Sequence, residues 1–198
     1  MIGWLKGRLQ DADQPGQVVL DVQGVGYLVE VSLATFFEIE THPAEVALLI
    51  HTIVREDAFL LYGFIDQQER ALFRALIKVN GVGPKLAMTI LSSISPDDFI
   101  QSIQDENTPM LVKLPGIGKK TAERLMVEMK DKVAQLPRTT NASRSRPSVA
   151  NQQEEAISAL ESLGYKRQEA SKVIAQFDHE KMSCEQLIRG ALQRLVNV

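Results

Sequence analysis

Cysteine, histidine and long apolar runs are scarce in this 198-residue sequence, and each scarcity excludes a class of protein. Cys184 is the only cysteine, so an internal disulfide and a cysteine-cluster metal site are both excluded. The three histidines are far apart and have no carboxylate at metal-ligand spacing, so we expect neither a metal nor a cofactor. No apolar run approaches the roughly 18 residues of a membrane helix. The N-terminus "MIGWLKGRLQ" lacks the features of a signal peptide, so we expect a cytoplasmic protein without membrane contact.

A strong overall charge is also absent, but the segments differ in charge. The whole chain carries −3, yet residues 1–63 hold three basic and nine acidic side chains, a net charge of −6. Residues 64–135 carry +1, residues 136–150 carry +3 and residues 151–198 carry −1. The small total therefore permits a local basic surface for nucleic acid.

The first sixty-odd residues favour β-structure. Five short runs rich in β-branched and aromatic residues are separated by turn sequences. These runs are "MIGWLKGRL", "QVVLDV", "YLVEVS", "VALLIHTIV" and "AFLLYGF". The pattern predicts a five-stranded OB-like barrel or another small antiparallel β-domain.

Helical periodicity begins after Asp66. "DQQERALFRALIKV" places Leu72, Phe73, Leu76, Ile77 and Val79 on one face. Further helices are predicted at "SPDDFIQSIQ", with Ser95 as N-cap, and at "TPMLVKL" and "KKTAERLMVEMKDKVAQL". The segment "PRTTNASRSRPSVA" has the composition of a flexible linker, and the sequence after it predicts three short helices.

One element occurs twice in the helical segment. "LIKVNGVGPKLAMTIL" (residues 76–91) and "LVKLPGIGKKTAERLM" (residues 111–126) agree at six of sixteen positions with an offset of 35. In each copy, two glycines flank one apolar residue directly before a helix, which is typical of a tight turn between helices. The free N–H groups of that helix and the adjacent lysines form an anion-binding arrangement. Two copies favour phosphate binding at two points on a duplex over a purely structural turn.

The candidate phosphate-binding residues are Gly81, Val82, Gly83 and Lys85 in the first copy, and Gly116, Ile117, Gly118, Lys119, Lys120 and Arg124 in the second. The string "GKKT" does not complete a nucleotide-binding phosphate loop. That motif needs a glycine five positions before Gly118, where Lys113 stands. Any ATP-driven step must therefore come from a partner.

Two adjacent carboxylates, Glu56 and Asp57, lie in the turn between the last two predicted strands. A solvated polar turn is the favoured interpretation. A carboxylate pair for metal-assisted phosphodiester cleavage is the alternative, although no nearby residue supplies further ligands.

The chain resembles the RuvA family, the Holliday-junction-binding subunits of the bacterial RuvAB branch-migration complex. The resemblance runs from end to end through "MIGWLKGRL", "REDAFLLYGF", "NGVGPKLA" and "KLPGIGKKTAERLMVEMKDK". It implies a multidomain α+β protein with four segments. These are an OB-like barrel (1–64), a domain with two helix-hairpin-helix motifs (65–136), a flexible linker (137–150) and a three-helix, UBA-like domain (151–198).

The resemblance also implies roles and partners. The hairpins would bind DNA arms in the minor groove, and Glu56 and Asp57 would form an acidic pin at the junction centre. The terminal domain would contact the hexameric RuvB ATPase, with Leu163 and Tyr165 as candidate contacts that could equally fill the domain core. The RuvC resolvase is a further implied partner, and the family's homotetramer and its paired octamer both stay open.

Three functions remain open on the residues alone. The first is a non-catalytic, junction-binding scaffold that recruits a motor. The second is a helix-hairpin-helix DNA glycosylase/lyase, in which Lys119 or Lys120 would attack the sugar and Asp131 would assist. The third is a general duplex- or single-strand-binding module that uses the barrel.

Overall fold

The computed structural model describes residues 1–41, 45–134, 136–137, 149–163, 165–177, 182 and 184–196. These residues belong to two compact units, Met1–Thr140 and Asn141–Val198. The predicted linker lies largely outside the described residues, as do His42 and His179. Within the described part of the chain, no helix is long and apolar enough to cross a membrane.

A closed five-stranded barrel begins the first unit. Its strands are β1 (Trp4–Asp11), β2 (Gln17–Val22), β3 (Val25–Val31), β4 (Val46–Val54) and β5 (Phe59–Phe64). The spatial order is β1-β2-β3-β5-β4, and only the β3–β5 pair is parallel. Alternate residues point inward, for example Val18 and Leu20 on β2 and Leu48 and Ile50 on β4. The predicted OB-like barrel is confirmed.

A helix that the sequence reading missed lies between β3 and β4. In α1 (Leu33–Thr41) the buried residues are Thr35, Phe36 and Ile39, which is helical spacing. Ser32 caps the helix, since its Oγ accepts a hydrogen bond from the Thr35 N–H at 3.1 Å. The β-branched and aromatic residues of "LATFFEIET" favour strands locally, and the tertiary packing overrides that preference.

Five helices follow the barrel: α2 (Gln67–Leu76), α3 (Pro84–Ser93), α4 (Pro96–Gln104), α5 (Thr108–Val112) and α6 (Lys119–Val133). The predicted apolar face of α2 is confirmed, because Leu72, Phe73 and Leu76 are fully buried. The predicted N-cap is also confirmed, since Ser95 Oγ accepts from the Asp98 N–H at 3.1 Å. The helices share one core with the end of β5, including Tyr62 and Phe64.

A buried carboxylate joins the barrel to the helices. Glu69 of α2 accepts hydrogen bonds from Ser32 Oγ at 2.6 Å and from Thr35 Oγ1 at 3.0 Å. Burial raises the pKa of Glu69, and the bonds from Ser32 and Thr35 oppose that rise. The orientation of α2 against the barrel is therefore set by a polar contact inside the core.

The described residues of the second unit form three helices: α7 (Val149–Ser162), α8 (Arg167–Ile174) and α9 (Cys184–Val196). Their small core includes Ala156, Leu160, Ala170, Ile174 and Leu187. Helix α7 begins two residues before the predicted start of the terminal domain at 151.

Candidate nucleic-acid interface

The two copies of the repeated element have the same backbone conformation. Gly81 and Gly116 adopt positive φ angles of 88° and 78°. Gly83 and Gly118 are the N-caps of α3 and α6, with φ of −85° and −84° and ψ of 170° and 167°. The sequence repeat is therefore also a structural repeat.

The hydrogen bonds of the two turns match as well. The Val82 N–H donates to the Val79 carbonyl at 3.0 Å, and the Ile117 N–H donates to the Leu114 carbonyl at 3.1 Å. Val82 and Ile117 are 4% and 5% exposed, so each central apolar residue anchors its turn in the core. We name these turns hairpin 1 (residues 80–84) and hairpin 2 (residues 115–119).

The start of each following helix is open. Neither Gly83 nor Gly118 provides a side-chain cap, so the first N–H groups of α3 and α6 have no such partner. A Cβ built on either glycine would meet no atom within 4 Å. Their φ angles are accessible to any residue, so the fold of the chain does not itself require glycine there. An anion can approach these N–H groups closely.

Lysines surround both open helix ends. Lys85, Lys119 and Lys120 are exposed, and no acidic residue stands in the first turn of α3 or α6. Ion pairs in the described residues join Lys130 to Glu106 and Lys132 to Glu128, near the other end of α6. None of the ion pairs in the described residues involves Lys85, Lys119 or Lys120. A cation in the first turn opposes the helix dipole, and a bound anion would offset that cost.

Two reciprocal contacts join the hairpins. Arg124 of α6 donates from Nη1 to the Asn80 carbonyl of hairpin 1 at 2.9 Å. In the opposite direction, the Cδ1 atom of Leu86 on α3 lies 3.0 Å from a Cβ built on Gly116. Arg124 thus positions hairpin 1. The sequence alone indicated Arg124 only as a DNA contact and did not predict this positioning role. Sequence reasoning also missed Asn80 and Leu86, because no local pattern identifies a partner 44 residues away.

The acidic turn (residues 55–58) connects β4 to β5. The Arg55 N–H donates to the Ala58 carbonyl at 2.8 Å, which closes the turn. Glu56 and Asp57 are both exposed at its tip. No group of three or more histidine, cysteine or acidic side chains that could hold a metal ion occurs among the described residues.

The geometry also argues against the lyase interpretation. Lys119, Lys120 and Asp131 all lie on α6 (Lys119–Val133). At 1.5 Å of rise per residue, Lys119 and Asp131 are about 18 Å apart along the helix axis. They cannot act on the same sugar.

The two candidate motor contacts differ in exposure. Leu163 follows α7 and is 60% exposed. Tyr165 is half-buried and packs against the core of the second unit. Leu163 is therefore available to a partner, whereas Tyr165 contributes to the core.

Comparison with known proteins gives matches along the whole chain. Residues 1–63 match the family model "RuvA N terminal domain", residues 73–131 match "SAM-like Helix-hairpin-helix tandem" and residues 151–196 match "RuvA, C-terminal domain". The Holliday junction branch migration complex subunit RuvA of Legionella pneumophila (strain Corby) is 62% identical over 196 residues, 98% of each chain. The protein of the same name from Shewanella amazonensis is 48% identical over 206 residues, covering 99% of this chain and all of that relative.

Proposed function

This chain belongs to the RuvA family, and from that premise we propose that it binds four-way DNA junctions by their shape, as the non-catalytic subunit of a branch-migration complex. Its role lies in recombination and DNA repair. The observation that carries the proposal is the matched pair of hairpins, each with an open helix end and lysines that form no ion pair among the described residues. Such sites bind phosphates without reading bases.

The pairing of the hairpins gives the DNA contact its geometry. Arg124 and Leu86 hold the two hairpins in one arrangement, so they can contact both backbones of one DNA arm across its minor groove. Homotetramers, single or paired as octamers, would then hold four arms in a plane. The RuvB ATPase would drive migration in the bacterial cytoplasm, docking on the second unit through residues such as Leu163, and the RuvC resolvase would act on the same junction.

The decisive experiment is a gel-shift titration of the full chain against a synthetic four-way junction and a linear duplex of matched length, at moderate salt. We expect strong preference for the junction without strand cleavage. Equal affinity for both DNAs would contradict the junction proposal and favour a general duplex-binding module. A covalent adduct with abasic DNA after borohydride treatment would favour a lyase.

For the acidic turn we propose electrostatic steering. Carboxylates near the crossover repel phosphates and would guide separated strands into the arms. The double substitution Glu56→Gln and Asp57→Asn should not weaken junction binding, because it removes repulsion from the phosphates and leaves both hairpins unchanged. It should change the rate of motor-driven migration. An unchanged rate would refute this role.

A further inference from the structure

A row of cations begins on α2 and ends in the segment just before hairpin 1. Arg70 and Arg74 lie four residues apart on one face of α2, and Lys78 follows in the turn after the helix ends at Leu76. Together with Lys132 of α6 they line an open cleft of about 380 Å³. Among the residues that the structure describes, all the others that line this cleft are uncharged.

Comparison of the two copies of the repeated element shows that a hairpin turn does not require Arg70 and Arg74. Lys78 corresponds to Lys113 in the second copy, so this lysine belongs to the repeated element. At the same offset of 35, Arg70 and Arg74 correspond to Asp105 and Pro109. Hairpin 2 forms the same turn without them, so Arg70 and Arg74 are an addition specific to the first copy.

The charges of this row are not neutralised by the described residues. Arg70 donates from Nη1 to the Gly3 carbonyl at 3.3 Å, and Arg74 donates from Nε to His51 Nδ1 at 3.3 Å. Both partners are uncharged: the Gly3 partner is a carbonyl oxygen, and a His51 ring whose Nδ1 accepts a hydrogen bond is in its neutral form. None of the ion pairs in the described part of the chain includes Arg70, Arg74 or Lys78.

The neighbouring charges also affect one another. The pKa of Arg70 is lowered by burial and then by Arg74. The pKa of His51 is lowered by burial, then by Arg74 and Arg70. Like charges four residues apart destabilise a helix. A bound anion would relieve this repulsion.

The row connects two parts of the proposed DNA surface. At one end, Lys78 lies three residues before Gly81 of hairpin 1. In the middle of the row, Arg74 contacts His51 of β4, the strand that leads into the acidic turn, and at the other end Arg70 contacts the Gly3 carbonyl. From Arg70 to Arg74 the helical rise is about 6 Å, the length of about two base pairs of duplex, and Lys78 lies beyond the end of α2.

We propose that Arg70, Arg74 and Lys78 form a second phosphate-binding track, which receives the DNA backbone between hairpin 1 and the acidic turn. The inference rests on the proposed function, since it needs a DNA arm on the hairpins. A phosphodiester backbone is the favoured ligand over an acidic face of a second copy, because Lys78 of the track occupies the same position before hairpin 1 as Lys113 does before hairpin 2.

Paired substitutions at one position test the track. Arg74→Gln removes the charge but keeps a donor for His51, whereas Arg74→Lys keeps the charge. Junction affinity of the full chain would be measured between 50 and 200 mM salt, with Arg70→Gln and Arg70→Lys as a second pair. Junction affinity falls as salt rises. For each phosphate contact that a Gln substitution removes, we expect this fall between 50 and 200 mM salt to be about 3.5-fold smaller than in the wild type. The Lys variants and the control Lys166→Gln, in the second unit, should match the wild type.

Four results would overturn the track. Wild-type salt dependence in both Gln variants would show that no phosphate is bound there. Equal losses for Gln and Lys would assign the arginines to the contacts with Gly3 and His51 alone. A lower mass of the Gln variants by light scattering without DNA would assign the row to an interface between copies. If Lys119→Glu also binds junctions like the wild type, the proposed function itself fails and the track fails with it.

Discussion

At the scale of single residues, the four hairpin glycines meet two different requirements. Gly81 and Gly116 adopt positive φ angles, which cost other residues about 1–2 kcal/mol. Gly83 and Gly118 have ordinary angles and open space where a side chain would be. Serine and aspartate are common N-caps, yet glycine stands at both positions. The absence of a capping side chain leaves the N–H groups free for a phosphate.

Substitution by serine should therefore have opposite effects on stability at the two kinds of glycine position. Gly118→Ser should keep or slightly raise stability, by a few tenths of a kcal/mol, because serine is a good N-cap. It should weaken junction binding, since the side chain occupies the approach to the N–H groups. Gly116→Ser should lower stability by about 1–2 kcal/mol because of its positive φ. Urea unfolding and gel-shift titration measure the two effects, and undiminished binding by Gly118→Ser would contradict close phosphate approach at that position.

Charge reversal at the two ends of α6 should also separate stability from binding. Lys119→Glu places a favourable charge at the helix N-terminus and should stabilise it by about 0.3–1 kcal/mol. The same change should reduce junction affinity and flatten its salt dependence. Lys130→Glu is the matched control at the other end. It removes the contact with Glu106 and should lower stability with a smaller effect on binding. Equal binding losses from both variants would argue against a specific role of hairpin 2.

At the scale of secondary-structure elements, the joint between barrel and helices depends on a carboxylate. Glu69 lies on α2, while Ser32 and Thr35 lie at the start of α1, more than 30 residues earlier. The Asp66 side chain caps α2 by accepting from the Glu69 N–H at 2.7 Å. Glu69 therefore lies in the first turn of α2, and its carboxylate contacts the start of α1.

The raised pKa of Glu69 makes this joint sensitive to pH. The folded protein holds the proton to a higher pH than the unfolded chain, so the free energy of unfolding decreases as pH rises from the ordinary carboxyl pKa through the raised one. Glu69→Gln should remove this part of the pH dependence. Trp4, the only tryptophan, reports on the first unit by fluorescence during urea unfolding between pH 4.5 and 8. The same pH slope in both proteins would show that Glu69 does not titrate in this range.

At the scale of the whole molecule, charge and function are separated along the chain. The barrel segment carries −6, including the acidic turn, whereas the hairpin lysines belong to a segment with +1. The second unit has its own small core and contributes no residue to either hairpin. DNA binding and motor docking are therefore expected to be separable.

Removal of residues 151–198 tests this separation. Junction affinity should stay within about twofold of the full chain, because the hairpins and their supporting contacts lie before residue 137. Stimulation of the hexameric motor should be lost. Leu163→Ser in the full chain is the milder variant, and it should reduce stimulation without unfolding the unit, since the side chain is exposed. Loss of junction binding on truncation would mean that the second unit takes part in DNA contact.

Local patterns in the sequence determined much of this protein. Alternating apolar residues predicted the barrel strands, helical spacing predicted α2, and the repeated glycines and lysines predicted both hairpins. These features follow from interactions between residues close in the chain, so a short window of sequence is sufficient to identify them.

Only the tertiary structure decided the rest. It turned the strand-like segment 33–41 into α1, placed Glu69 beside Ser32, and joined Arg124 to Asn80. It also showed that Arg70, Arg74 and Lys78 line one cleft, and that the described residues of this cleft include no acid. Each of these features depends on contacts between residues far apart in sequence, where long-range packing overrides local preference and no periodic pattern identifies the partner.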